Sequence, residues 1–162
     1  MITKVQSARW RMWGFAFLVG GLAIAFLVVR SLPSRRPAGL GLKDGKLRPC
    51  PDTPNCVCSL DSSPQHGIDP IKFEGDGSEQ WQRLVSAIES DARAGVVTKT
   101  DNYLHAEFTT PLFQFVDDLE LHLDREHKVI NVRSASRIGR SDLGVNRVRV
   151  ARLIEQADLR GR

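Results

Sequence analysis

From Met12 to Val29 the chain runs eighteen residues without a charged side chain. As a helix rising about 1.5 Å per residue this run reaches about 27 Å, close to the hydrocarbon thickness of a bilayer. It predicts a transmembrane helix. Trp10 and Trp13 stand where interfacial indoles are favoured, and Arg9, Arg11 and Arg30 mark the ends. A cleaved signal peptide is the competing explanation. Its apolar stretch is ordinarily about 7–15 residues, however, and no small-x-small cleavage site follows in residues 30–38, so an uncleaved signal anchor is expected.

The anchor divides the 162 residues into unequal parts: a basic flank at 1–11, the span at 12–29, a Pro/Gly/Arg-rich tether with all three cysteines at 30–63, and an α+β domain at 64–158. Residues 1–48 hold nine Lys/Arg and one acid, whereas residues 49–162 hold fourteen bases and eighteen acids, so the folded part is net negative. A nucleic-acid binder carries its positive charge on the folded domain, and that class is excluded as the leading reading.

Topology has two opposing signals. Six bases between Arg30 and Arg48 outnumber Lys4, Arg9 and Arg11, which by the positive-inside rule places the domain in the cytoplasm. The cysteines point the other way. Cys50, Cys56 and Cys58 lie in a Pro-rich segment without apolar neighbours, and a Cys50–Cys56 disulfide closes a short loop stiffened by Pro51 and Pro54. Free cytoplasmic thiols remain an alternative, and so does a zinc site with His66, although Cys-x5-Cys-x-Cys lacks the paired knuckles of zinc modules. The expectation is a single-pass membrane protein whose domain faces an oxidising compartment, which for a bacterial inner-membrane protein is the periplasm.

Within the domain, Ile71–Phe73 reads as a short strand. Ser78 caps a helix whose Trp81, Leu84, Val85 and Ile88 follow helical spacing. Residues 96–100 and 103–108 flank Asp101-Asn102 as a hairpin, 115–123 and 128–138 alternate as two more strands, and a last helix runs over 143–157. This predicts a two-layer α+β domain: a mainly antiparallel sheet of four to five strands, two helices on one face, and the other face open to solvent. Pairing Leu123 with Lys128 sets Leu121 opposite Ile130, Leu119 opposite Val132, Asp117 opposite Ser134 on the leucine face and Asp118 opposite Arg133 on the other. Asp117 is then a core-side carboxylate that Ser134, Ser136 or an Arg from the 139–147 turn must satisfy.

The densest chemistry lies at Phe115–Leu119 and at Arg133–Arg147. The second string, Arg-Ser-Ala-Ser-Arg-Ile-Gly-Arg-Ser-Asp-Leu-Gly-Val-Asn-Arg, together with residues 44–51, Pro54–Val57 and Tyr103–Phe108, resembles the domain-of-unknown-function family 1499 over roughly Lys43 to Ala157. The resemblance implies that these residues belong together and brings no activity. Cys58 departs from the small polar residue expected after Asn-Cys-Val, which leaves the disulfide partner open.

Asp118, Arg133, Arg137, Arg140, Ser141, Asp142, Asn146 and Arg147 form the candidate ligand site, since a helix N-terminus beside several Arg suits an anion. Ser141 or Asp142 also serves as the helix cap, and the Arg groups have an internal outlet, for residues 49–124 hold four bases against fourteen acids. His105 and His122 with Asp118 form a weak metal-type constellation; no metal and no cofactor is expected. The leading reading is a membrane-tethered, non-catalytic domain binding an anionic ligand or an envelope protein. The alternative is an enzyme of unassigned class using Asp118 with His105 or His122 beside the Arg-rich turn.

Overall fold

The computed structural model describes residues 2–31 and 35–159, with the side chains of its first helix described at 13–15 and 17–28. It divides into two units, one made of the N-terminal helix with residues 112–114 and one holding the rest. Helix α1 (Ile2–Ser31) exposes Trp13, Phe15, Phe17, Leu22 and Leu27. Among the described residues, no helix is long and apolar enough to cross a membrane.

The second unit is α+β. Its elements are β1 (Cys56–Cys58), β2 (Ile71–Lys72), α2 (Ser78–Glu89), β3 (Ala94–Lys99), β4 (Tyr103–Thr109), β5 (Val116–Asp124), β6 (Val129–Ser136) and α3 (Val145–Gln156). All strand pairs are antiparallel, in the order β1-β6-β5-β4-β3, with β2 beside β1 on the outer edge of β6. The sheet thus has six strands, not four or five. The extra strand is β1, which lies inside the segment read as tether: three residues between Pro-rich flanks give no period to detect, and the folded unit begins well before residue 64.

Helix α2 buries Trp81, Leu84, Val85 and Ile88 as its spacing predicts. Its cap is Gly77 rather than Ser78, at φ 75°, and a Cβ there would lie 2.7 Å from the Phe73 ring. Ser78 instead donates through its hydroxyl to Asp76 at 2.8 Å. The hairpin at Asp101-Asn102 forms as expected, closed by Thr100 N–H donating to the Tyr103 carbonyl. Its outer strand β3 is the exposed edge, and a register irregularity between Val96 and Thr98 keeps that edge from offering a flat ladder to another chain.

The β5–β6 register differs from the expected one by two residues. Leu123 pairs with Ile130, Leu121 with Val132, Leu119 with Ser134 and Glu120 with Arg133; Asp117 stands opposite Ser136 and Asp118 opposite Ala135. A two-residue shift leaves every side chain on its own face, so apolar alternation cannot distinguish the two pairings. The turn decides it. Lys128 takes φ 55° and Asp124 accepts from His127 N–H, which ends the ladder at Asp124–Val129.

One face of the sheet carries Val57, Leu104, Ala106, Phe108, Leu119, Leu121, Leu123, Ile130 and Val132 against α2 and α3. The other face was expected to be open and is not. His105, Asp118, Glu120, His122 and Asn131 are each at most 8% exposed. The segment 39–50 lies against part of this face: Gly41 N–H donates to Glu120 Oε1 at 2.8 Å, Leu47 is 4% exposed, and the Arg48 carbonyl accepts from the Cys58 thiol; Ser59 reaches Asn131.

Candidate functional site

The chemistry-bearing residues fall on the two faces of the sheet, because neighbours on a strand point opposite ways. On the covered polar face, Asp118 accepts from Arg137 Nε at 2.8 Å and Nη2 at 2.6 Å, and its other neighbour is His105 Nε2 at 2.8 Å. Arg137 Nη2 also donates to Glu107 Oε1 at 2.5 Å, and Arg36 reaches the same carboxylate. Burial works to raise the Asp118 carboxyl, but Arg137 and His105 more than offset it and hold it below the usual carboxylate range. The Arg137 guanidinium is correspondingly held more firmly protonated by Asp118.

A second cluster lies along the same face. Glu120, 1% exposed, accepts from Tyr103 Oη at 2.9 Å, from Arg133 Nη1 at 3.1 Å and from Gly41 N–H. Burial first, then the Glu120 charge, push the Tyr103 phenol well up, so it remains a neutral donor. His122 belongs to neither cluster. Four residues from Asp118 on one strand, it is displaced by about 13 Å; burial lowers its pKa and its Nδ1 has no hydrogen-bond partner.

His105 Nε2 and the carboxylates of Glu107 and Asp118 offer ligand atoms within 4.8 Å of one another. A metal ion there would have to displace the Arg137 guanidinium, which already bridges both carboxylates. The cation of this cluster is the arginine.

On the helix-facing side, Asp117 is 3% exposed and pairs with Arg149 of α3, not with an Arg from the 139–147 turn. Arg149 also donates to Asn146 Oδ1 and to Ser134 Oγ, and its guanidinium lies 4.8 Å from the centroid of the Phe108 ring. Asn146, fully buried, donates to the Asn55 carbonyl, Ser136 Oγ and Asp142 Oδ2 and accepts from Ser134 Oγ at 2.6 Å. Asn55 Nδ2 in turn holds the carbonyls of Ser136 and Gly139. Segments 54–57 and 133–147 therefore meet through buried asparagines.

The rest of the expected site is dispersed. Asp142 accepts from the N–H groups of Gly144 and Asn146, so it, not Ser141, caps the turn into α3; Gly144 sits just before the helix at φ 82°. Ser141 and Arg140 are exposed, and Arg147 donates to the carbonyls of Gly67 and Gln65. Arg133 and Arg137, offered as anion binders, are engaged by Glu120 and Asp118.

Cys50 and Cys56 form a disulfide, their Cα atoms 5.7 Å apart, which removes the thiolates a zinc site would need. His66 Nδ1 lies 3.0 Å from the Cys56 carbonyl. Cys58 is a free, fully buried thiol whose pKa is raised chiefly by burial.

Sequence reasoning missed Glu120, Arg149 and the groove that Arg149 helps to frame. A groove of about 290 Å³ opens between the end of β4 and α3, floored by Phe108 and walled by Val145, Val148, Arg93, Arg149 and Arg152. Asp91 accepts from both Arg93 and Arg152, and Arg152 Nε has no partner. Three guanidinium groups here answer to two carboxylates, Asp91 and Asp117. The signal available in the sequence was Arg149 at the third position after Asn146, within the stripe of α3 that faces the sheet.

The family described as "Protein of unknown function (DUF1499)" matches residues 46–156, from just before β1 through α3, and the chain belongs to it. No curated protein and no solved structure matches.

Proposed function

We propose that this family member is a membrane-tethered, non-catalytic binding domain of the bacterial envelope, held by the span at 12–29 and facing the periplasm. The observation that carries the non-catalytic reading is burial. His105, Asp118 and Glu120, the groups suited to proton transfer, lie at 3%, 1% and 1% exposure, each bound to an internal partner and closed off from a substrate. Chemistry needs a reachable acid or base; a scaffold needs only that its ion pairs be satisfied. The groove at β4 and α3 is accessible instead, with an apolar floor and cationic walls suited to a partner of the same mixed character.

The tether supports the same reading. The uncharged run has bilayer length, most of its described apolar side chains are exposed along α1, and the Cys50–Cys56 disulfide fits an oxidising compartment. Fractionation of cells making the full chain tests this: it should remain in carbonate-washed membranes, and Cys50 and Cys56 should resist thiol labelling until reductant is added. Recovery in the soluble fraction with both thiols reduced would overturn it. The enzyme alternative has the His105–Asp118 pair in its favour. It requires that His105→Gln and Asp118→Asn abolish a cellular phenotype without lowering thermal stability, whereas the scaffold reading ties any loss of phenotype to loss of stability.

A further inference from the structure

Leu143 stands on the turn into α3 with 94% of its surface exposed, and its backbone adopts φ 54°, a conformation that a leucine enters only at a steric cost. One strained, fully exposed leucine is hard to reconcile with a surface made only for water. It is not isolated. Val148, 68% exposed, and Val145, 46% exposed, line the same groove, so three aliphatic side chains stand together at one rim. The surrounding charge is net positive: Arg140 and Arg147 are exposed on the same turn and helix, and Arg93 and Arg152 line the groove behind, against the single carboxylate they share, Asp91, and Asp142 on the turn. An aliphatic rim among arginines is the composition of a surface that enters the interface of an anionic bilayer, with the apolar groups in the acyl boundary and the guanidinium groups among lipid phosphates.

We propose that the rim formed by Leu143, Val145 and Val148 docks on the anionic lipid surface of the membrane in which the protein is anchored. The inference rests on the tethered reading above and names the partner of the same groove. Chain length supports the choice of partner. Arg36 is bound to Glu107 on β4, two residues before Thr109, which lines the groove. From Val29, the last residue of the uncharged run, to Arg36 is seven steps of chain, which reach at most about 25 Å. The tether between the span and Arg36 is therefore short. Charge complementarity then selects anionic over neutral lipid.

The test uses the full chain carrying a single environment-sensitive fluorophore on Leu143→Cys, reconstituted with phosphatidylcholine vesicles or with vesicles of about one-third phosphatidylglycerol. Cys58 is fully buried, and Cys50 and Cys56 are joined, so the introduced thiol is the one that labels. The expected result is blue-shifted emission, quenched severalfold by brominated acyl chains, in the anionic vesicles. A second label on Glu126→Cys, in the exposed β5–β6 turn, should stay aqueous. Leu143→Asp with Val148→Asp should abolish the rim's lipid contact, read from a label on Arg140→Cys, while the chain still floats with vesicles. A chain that floats but keeps the 143 label aqueous overturns the docking and leaves the anchor standing. Flotation only with anionic vesicles, and only with Leu143 and Val148 intact, overturns the anchor and keeps the docking. A chain that floats with neither overturns both.

Discussion

Asp117 and Arg149 offer the sharpest test of how the helix layer is held on the sheet. Both are buried, at 3% and 7% exposure, and the carboxylate pairs directly with the guanidinium. Asp117→Ala leaves a buried cation without its counter-charge, a change that costs about 3–5 kcal/mol where nothing else compensates. Here something does. Arg149 keeps Ser134 Oγ, Asn146 Oδ1 and the face of Phe108, so the lower end, about 3 kcal/mol, is expected. Arg149→Met should cost a similar amount, since it strands the carboxylate. Asp117→Ala with Arg149→Met removes both charges and should be less destabilised than the sum of the two, by about 2 kcal/mol or more. Urea unfolding of the chain from residue 35 onward, which contains the whole apolar core cluster, measures all three. Additive costs would refute the pairing. Asp118→Ala should be no milder than Asp117→Ala, because the face expected to be open is not, and Asp118 is 1% exposed with three contacts from Arg137 and His105.

Reducing the Cys50–Cys56 bridge, which spans a sequence separation of 6, should lower stability by about 2 kcal/mol, while Cys58 should stay unreactive to maleimide in the folded protein; ready labelling of Cys58 would show that the cover at 39–50 opens. Asp118 and Glu107 are held below the usual carboxylate range against the opposing effect of burial. Because their folded values are depressed, the stability they contribute is full above about pH 5 and lost as pH falls through the folded values; a Tm profile into acid should show this fall, and Asp118→Asn should make it shallower. Leu143→Gly removes an αL penalty of about 1–2 kcal/mol and adds about 0.5–1 kcal/mol of chain entropy cost, so a net gain of about 0.5–1 kcal/mol is expected in urea unfolding; a loss of stability would mean that the leucine packs rather than projects.

What the sequence disclosed follows its periodic signals. The stripe of α2, the hairpin at Asp101-Asn102 and the leucine face of β5 were all readable because one side of each element meets the core at a fixed spacing. The grouping of Asp118, Arg133 and Arg137 on one sheet face was readable for the same reason. That this face is covered was not. Its residues are charged and look solvated, and the segment that lies against part of it has no period: Gly41 contributes a backbone N–H and Leu47 a single apolar side chain. Arg149 was hidden differently, as a charged residue among the buried positions of α3, beside Val150 and Leu153. The three-residue strand β1 was too short, between prolines, to show any pattern.

The polar face also explains why the sheet takes one register when its apolar face permits two. Sliding β6 by two residues keeps Leu119, Leu121 and Leu123 against Ile130 and Val132, so burial of carbon is nearly indifferent between the alternatives. The charges are not. In the observed register Glu120 faces Arg133, and Arg137, just past the strand end, reaches Asp118, so each buried carboxylate has its own guanidinium. In the shifted register Arg133 would face Asp118, and Glu120 would face Asn131 with no cation of its own. A buried carboxylate left with neutral donors costs several kcal/mol. The ion pairs of this face add little net stability over an apolar face of the same shape, but they make the wrong pairing expensive, and the apolar ladder alone does not.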